Sequence, residues 1–127
     1  MKLVDKILNE GGNYFTLYHG TCKENAVSLL QNGWKKGFAS GGNMGQGKYL
    51  YVSSDPEDAL WFAQEKGCNC VLKIKNVSAD SLIPDPEDEA GYTLNDLFKR
   101  INTTNFPAKF AVVKPLPKEN FELIKNS

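Results

Sequence analysis

The chain has a single histidine, His19, within the segment Leu-Tyr-His-Gly-Thr of residues 17–21. The aromatic and β-branched residues 14–18 predict a strand that ends at the histidine. Residues 21–24 (TCKE) have the form of a capping box, which predicts that a helix follows. An imidazole beside the positive end of a helix is expected to stay neutral and to offer one donor and one acceptor. Such a ring suits a sugar hydroxyl better than a phosphate, although a histidine of the core or surface needs no ligand.

A second distinctive segment, residues 45–53 (GQGKYLYVS), leads from a glycine-rich stretch into a short strand. The glycines between residues 35 and 48 predict a loop, either flexible at the surface or able to bring its backbone close to a ligand. Tyr49 and Tyr51 face the same side of the predicted strand. They are either core aromatics or the stacking wall of a pocket.

Residues 56–66 are predicted to form the next helix. Asp55 before a proline is a good N-cap, and Ser54 with Glu57 offers an alternative capping box. Phe62 lies within the first two turns of this helix. It either packs in the core or stacks on a flat heterocycle held near the histidine and the tyrosines.

The remaining hydrophobic patterns place these segments in a larger domain. They predict helices over 3–9, 22–32 and 94–101, the second ended by Gly33 and the third capped by Thr93. They also predict strands over 71–75, 110–113 and 121–124, and an acidic loop over 80–89. The order α-β-α-β-α-β-α-β-β, with short connections, predicts one α+β domain over residues 1–127. We expect a curved or split mixed sheet with flanking short helices rather than a doubly wound sheet.

Composition narrows the classes of partner. Fifteen basic and fifteen acidic side chains cancel, so charge alone predicts no strong binding to duplex nucleic acid or an anionic membrane. No stretch approaches the roughly 20 apolar residues of a membrane span, and no signal peptide is evident. The expected location is the cytoplasm, or a target cell into which the protein is delivered as an effector.

The cysteines Cys22, Cys68 and Cys70 are odd in number, which argues against a disulfide framework. Two of them, in Cys68-Asn69-Cys70, could offer thiolates to a metal, but too few further ligands remain for zinc. We therefore expect reduced, partly buried thiols and no metal site.

Taken in order, residues 18–21, 47–53 and 59–63 resemble the ADP-ribosyltransferase superfamily of the His-Tyr class. This class includes poly(ADP-ribose) polymerases, diphtheria-toxin-like toxins and small rifampin ADP-ribosyltransferases. Its pattern is a strand ending in His-Gly-Thr, a glycine-rich approach, a tyrosine-bearing strand and a helix with a small residue facing the ligand. The resemblance covers residues 14–75 well and the rest loosely. It implies a split sheet of this superfamily's type, with NAD as the substrate.

The resemblance also implies roles for individual residues. His19 would bind the adenine-side ribose of NAD, and the backbone of Gly20 would hold the nicotinamide carboxamide. Tyr51 would stack on the nicotinamide ring, with Phe62 on its other face. The same site would be lined by Thr21, Tyr49, Ser53 and Ala59, although relatives often have a glycine where Tyr49 stands.

The third catalytic member of this class is an acidic residue. The polymerase-like branch has a Glu just before the penultimate strand, and the matching position here is near Lys109, so that Glu is missing. The rifampin-type branch has an Asp in the loop after the mid-chain strand, where Asp85 matches best and Glu87 next. Such a carboxylate would stabilise the positive charge that builds on the ribose. Otherwise the acidic run is a solvated loop.

These implications define the expected function: a monomeric mono-ADP-ribosyltransferase that releases nicotinamide from NAD. The acceptor is expected to be a protein or a small molecule, or else a nucleic-acid end, rather than duplex nucleic acid. Two alternatives stay open, an NAD glycohydrolase and an inactive module that binds NAD, ADP-ribose or a protein partner. RNA 2′-phosphotransfer is disfavoured, because that group uses several arginines and this chain has only Arg100.

Overall fold

The computed structural model describes residues 14–35 and 49–125. The helix predicted over 3–9 and nearly all of the glycine-rich loop lie outside the described residues. Within them, six strands and three α-helices follow one another, with two short 3₁₀ turns between. The elements are β1 (Tyr14–Thr21), α1 (Lys23–Asn32), β2 (Leu50–Ser53), α2 (Pro56–Glu65), β3 (Cys70–Ser78), β4 (Leu82–Pro84), α3 (Leu94–Thr103), β5 (Lys109–Val112) and β6 (Phe121–Lys125).

All six strands form one open sheet in the order β4-β5-β2-β1-β3-β6. The expected combination of helices with a sheet is confirmed. Every neighbouring pair of strands is antiparallel, however, so the expected mixture of strand directions is wrong. Hydrophobic alternation assigns a side chain to a face of a sheet. Alternation such as that of residues 71–75 is also more typical of antiparallel than of parallel strands, and the expectation of a mixed sheet did not use that signal.

The two ladders of β1 differ in length. β1 pairs with β3 from Tyr14 to Thr21, whereas within the described residues β1 and β2 pair in register only at Tyr18 opposite Ser53. The short ladder lies beside His19, so it is the part of the sheet where the two predicted motifs meet.

One apolar cluster forms the main core. It joins the inward side chains of the strands to α1 and α3, with Phe15 stacked on Phe98 at 4.6 Å between ring centroids. The largest fully buried members are Leu17, Leu29, Trp34, Leu50, Leu72, Ile74, Val77, Leu97, Phe110 and Val112. Helix α2 packs elsewhere, against β1, through its buried Ala59 and Ala63.

The start of α1 corrects the predicted capping box. α1 begins at Lys23, and its N-cap is Cys22, which makes no side-chain cap hydrogen bond. Thr21 instead belongs to β1, opposite Cys70, and its buried hydroxyl accepts a hydrogen bond from Asn25 at 3.2 Å. Sheet pairing thus keeps the threonine extended. The predicted end of the helix at Gly33, which has a φ of 72°, is confirmed.

The predicted starts of the other two helices are confirmed. The side chain of Asp55 accepts a hydrogen bond from the backbone of Glu57, and Thr93 forms a complete capping box with Asp96. Strand β4 was missed, because three residues within an acidic, proline-containing run give too short a pattern. Its proline is tolerated since β4 lies at the edge of the sheet.

A disulfide joins Cys22 to Cys68, with 5.0 Å between their Cα atoms. The expectation of reduced thiols is therefore wrong for these two residues. The fold brings the end of β1 against the turn that follows α2, and 46 residues separate the partners along the chain. No local spacing signals such a pair. Cys70 is free and buried, as expected.

None of the described helices combines the length and apolar character that crossing a membrane requires.

Candidate functional site

His19 lies near the end of β1, opposite Leu72 of β3, and only 5% of it is exposed. Its Nδ1–H donates a hydrogen bond to the backbone carbonyl oxygen of Tyr51 at 2.6 Å. A carbonyl oxygen only accepts, so this contact places the proton on Nδ1. In the neutral ring Nε2 is then an acceptor. The hydrogen bond also links the two sequence motifs directly.

The other ring nitrogen of His19 is buried and has no hydrogen-bond partner among the described residues. Burial lowers the pKa of His19 from 6.5 to about 4; the hydrogen bond to Tyr51 opposes this shift, and the Lys66 ammonium adds to it. The expected neutral imidazole therefore has a different main cause, burial rather than a helix dipole. A buried acceptor without a partner is costly, and a ligand hydroxyl would satisfy it.

Tyr51 stands on the next strand, opposite Ala111 of β5, and 39% of it is exposed. Its ring meets that of Tyr49 edge to face, with 5.9 Å between centroids. Its pKa is raised above 10 by partial burial first, and then by the charges of Asp85 and Glu87 and by Tyr49. The charges of both predicted acids therefore act on the phenol of Tyr51.

Asp85 is the fixed acid of this group, since only 5% of it is exposed. Its Oδ1 accepts hydrogen bonds from the backbone N–H groups of Glu87 at 2.8 Å and Asp88 at 3.1 Å. Its own N–H donates to the carbonyl of Lys109 at 3.1 Å, which continues the β4–β5 pairing by one residue. Glu87 is exposed. Within the described residues, the hydrogen bonds of the Asp85 carboxylate all involve Oδ1, so only one of its two oxygens is held.

Lys109 opens β5 opposite Ser53. Its ammonium lies 5.3 Å from the centroid of the Phe62 ring and 3.7 Å from Oδ2 of Asp88. Phe62 also meets Trp61 edge to face at 5.4 Å. A cation therefore already lies over the aromatic ring that was predicted to stack on nicotinamide.

Gly20 is required by packing. A Cβ built on it would lie 1.7 Å from the carbonyl oxygen of Ala59 and 3.0 Å from the nitrogen of Ala63. Only a glycine lets α2 approach β1 so closely. The role predicted for the Gly20 backbone toward a carboxamide stays a prediction.

The smaller site candidates are buried, and their polar groups have structural partners. The Ser53 hydroxyl accepts a hydrogen bond from the Asp55 N–H at 3.1 Å, and the Thr21 hydroxyl bonds to Asn25. Ala59 is buried against Gly20. These residues support the shape of the site, and their contact with a ligand stays a prediction.

A part-buried ion pair that the sequence patterns did not reveal joins the end of the acidic loop to α3. Both terminal nitrogens of Arg100 donate to the carboxylate of Glu89, at 2.8 and 2.9 Å. Glu89 also accepts from the backbone of Lys109 at 3.0 Å, and Arg100 donates to the carbonyl of Pro107 at 3.0 Å. The solvated-loop alternative is thus wrong for Glu89 and for Asp85, which are buried. A lone arginine among fourteen lysines was the available signal, because bidentate carboxylate contacts favour arginine.

Across residues 14–35 and 49–125, no group of three or more His, Cys, Asp or Glu side chains could hold a metal ion. No protein-family model matches the chain, and no curated protein sequence matches it either.

Proposed function

We propose that this chain is an NAD-dependent mono-ADP-ribosyltransferase, with a sheet of that superfamily's type. The observation that carries the proposal is the state of His19: it is buried, neutral and fixed by Tyr51, and its Nε2 acceptor has no partner among residues 14–35 and 49–125. That nitrogen would accept a hydrogen bond from a ribose hydroxyl. The diphosphate of NAD, which carries no proton near neutral pH, would not satisfy it.

Aromatic side chains would bind the nicotinamide half of NAD. Tyr51 is exposed enough to stack on the ring, and the charges of Asp85 and Glu87 act on its phenol. Phe62 would contact the opposite face. Holding the substrate in one pose would lower the entropic cost of reaching the transition state.

Asp85 would supply the electrostatic part of catalysis. When the bond between nicotinamide and C1′ of the ribose breaks, its electron pair leaves with nicotinamide and positive charge develops on the sugar. Oδ2 of Asp85 would stabilise that charge, while the two backbone N–H groups hold Oδ1 in place. An acceptor nucleophile then bonds to C1′ and loses its proton to the carboxylate or to water. Glu87 is the second choice because it is exposed.

An inactive module that binds NAD or ADP-ribose is the second candidate. The observation that favours it is Lys109, which stands where the polymerase-like branch has its Glu. RNA 2′-phosphotransfer is not proposed, since the one arginine is engaged with Glu89 and Pro107.

The proposal is tested with NAD labelled in its adenylate half, incubated with the protein and a cell lysate. His19→Ala and Asp85→Asn are expected to abolish or strongly reduce transfer of the label. Asparagine keeps the oxygen that accepts the two backbone hydrogen bonds, so the fold is preserved. Tyr51→Phe keeps the stacking ring and should retain most of the transfer. Asp80→Asn, at an exposed ion pair with Lys114, serves as the matched control.

The same assay separates the alternatives. Nicotinamide release without labelled acceptor would indicate a glycohydrolase. Binding of NAD without turnover would indicate the inactive module. Absence of NAD binding by the wild-type protein would overturn the whole assignment.

A further inference from the structure

The face of Phe62 and the carboxylate of Asp88 together form a small site that attracts a cation. An aromatic ring attracts positive charge over its face, and a carboxylate attracts it by simple Coulomb interaction. In the free protein the cation is the ammonium of Lys109, at 5.3 Å from the ring centroid and 3.7 Å from the carboxylate oxygen. We call Phe62 and Asp88 the cation subsite.

The backbone of Lys109 is fixed where its side chain reaches this subsite. Its N–H donates to Glu89 at 3.0 Å, and its carbonyl accepts from Asp85 at 3.1 Å. Pairing opposite Ser53 places its side chain on the sheet face that Tyr51 and Ser53 share. The ammonium therefore lies on the same side of the sheet as the tyrosine proposed to stack on nicotinamide.

The nicotinamide ring of oxidised NAD is itself an aromatic cation until the bond to ribose breaks. It would be attracted by the same ring face and the same carboxylate, and two cations cannot share them without repulsion. We propose, on the basis of the proposed function, that Lys109 is a specificity-determining residue. It fills the cation subsite in the free protein, and the oxidised nicotinamide ring must displace it to bind.

The surroundings of Lys109 argue against a role in binding the diphosphate of NAD. Its ammonium pairs with Asp88, and the charges of Asp85 and Glu87 act on the neighbouring Tyr51. A diphosphate placed there would meet carboxylates of its own sign. The subsite is therefore suited to a positively charged group, and a phosphate role becomes an outcome of the test.

The test compares three ligands on the wild-type protein and on Lys109→Met, which keeps the length of the side chain and removes its charge. Dissociation constants for oxidised NAD, reduced NADH and ADP-ribose are measured by calorimetry at one low salt concentration. Lys109→Met is expected to bind oxidised NAD roughly 2- to 30-fold more tightly, the range expected from one cation–π contact. NADH and ADP-ribose lack the charged ring, so their affinities should not rise.

Two further variants serve as controls. Lys109→Gln also removes the charge and should reproduce the selective gain; a thermal melt of each variant shows that it is folded. Lys114→Met removes a lysine from the exposed pair with Asp80, whose atoms lie 3.4 Å apart, and should change none of the three affinities.

An equal loss of affinity for all three ligands would assign Lys109 to the phosphates and overturn the proposal. Unchanged or uniformly improved affinities would also overturn it, while leaving the proposed function intact. If neither protein binds any of the ligands, the proposed function fails as well.

Discussion

Protonating His19 in the folded protein would bury a positive charge at a position where no described residue pairs with Nε2. Its pKa is about 4 in the fold and near 6.5 in an unfolded chain. Between these values the unfolded state binds the proton and the folded state does not. The free energy of unfolding is therefore expected to fall as pH falls from about 6.5 to about 4, by up to about 3 kcal/mol.

Denaturant titrations at pH 7 and pH 4.5, on the wild-type protein and on His19→Gln, measure this loss. The variant has no imidazole to protonate, so it should lose much less stability over the same interval. Asp80 and Asp96 have lowered pKa values, and the stability they add is lost only as pH falls below the ordinary value of 3.8, beneath the interval used. Equal losses in both proteins would refute the assignment of this pH dependence to His19.

At the scale of the element, the approach of α2 to β1 depends on Gly20. Gly20→Ala would place a methyl group 1.7 Å from the Ala59 carbonyl oxygen, so the helix and the strand would have to separate. We expect a loss of roughly 1–3 kcal/mol in the free energy of unfolding, typical of overpacking. Denaturant titration measures it.

The matched control is Gly91→Ala. Gly91 has a φ of 93°, and no atom of the described residues lies within 4 Å of its would-be Cβ, so this variant carries backbone strain without a clash. If Gly20→Ala loses no more free energy of unfolding than Gly91→Ala, the contact between α2 and β1 is not close enough to exclude a methyl group.

The disulfide between Cys22 and Cys68 ties the end of β1 to the turn after α2. Its two cysteines lie 46 residues apart along the chain. Closing a loop of that size restricts the unfolded chain, which is expected to add about 4 kcal/mol to the free energy of unfolding. Reductant should therefore lower the midpoint of unfolding. The double variant with Cys22→Ser and Cys68→Ser should unfold at this lower midpoint both with and without reductant. A wild-type midpoint indifferent to reductant would contradict this.

Local signals predicted the elements that local chemistry determines. The N-caps at Asp55 and Thr93 and the end of α1 at Gly33 were predicted, because each depends on a few neighbouring residues. Thr21 was misread as a cap because its pairing partner Cys70 lies far along the chain. Strand β4 was not predicted either, since it pairs with β5, which is distant in the sequence.

At the scale of the whole molecule, the site depends on strand order. His19, Tyr51 and Asp85 come from β1, from β2 and from the end of β4, and the order β4-β5-β2-β1 brings these strands side by side. These residues were predicted from the resemblance of the sequence to the ADP-ribosyltransferase superfamily. It could not predict that Asp85 is held by backbone hydrogen bonds, or that Lys109 lies over Phe62, since both depend on register with β5.

The disulfide also bears on where the protein works. Disulfides persist mainly in oxidising compartments, which weighs against the expected cytoplasmic location. The alternative expectation, an effector delivered into a target cell, is compatible with an oxidising route. Location stays a prediction.

We propose that His19, Tyr51 and Asp85 act together on NAD. The most direct test is the rate of nicotinamide release from NAD, measured by mass spectrometry for the wild-type protein, His19→Ala and Asp85→Asn, because transfer and hydrolysis both release nicotinamide. We expect release by the wild-type protein and a rate lower by about 10²–10³ in Asp85→Asn, the effect of losing one electrostatic group. A wild-type rate no higher than that of His19→Ala would contradict it.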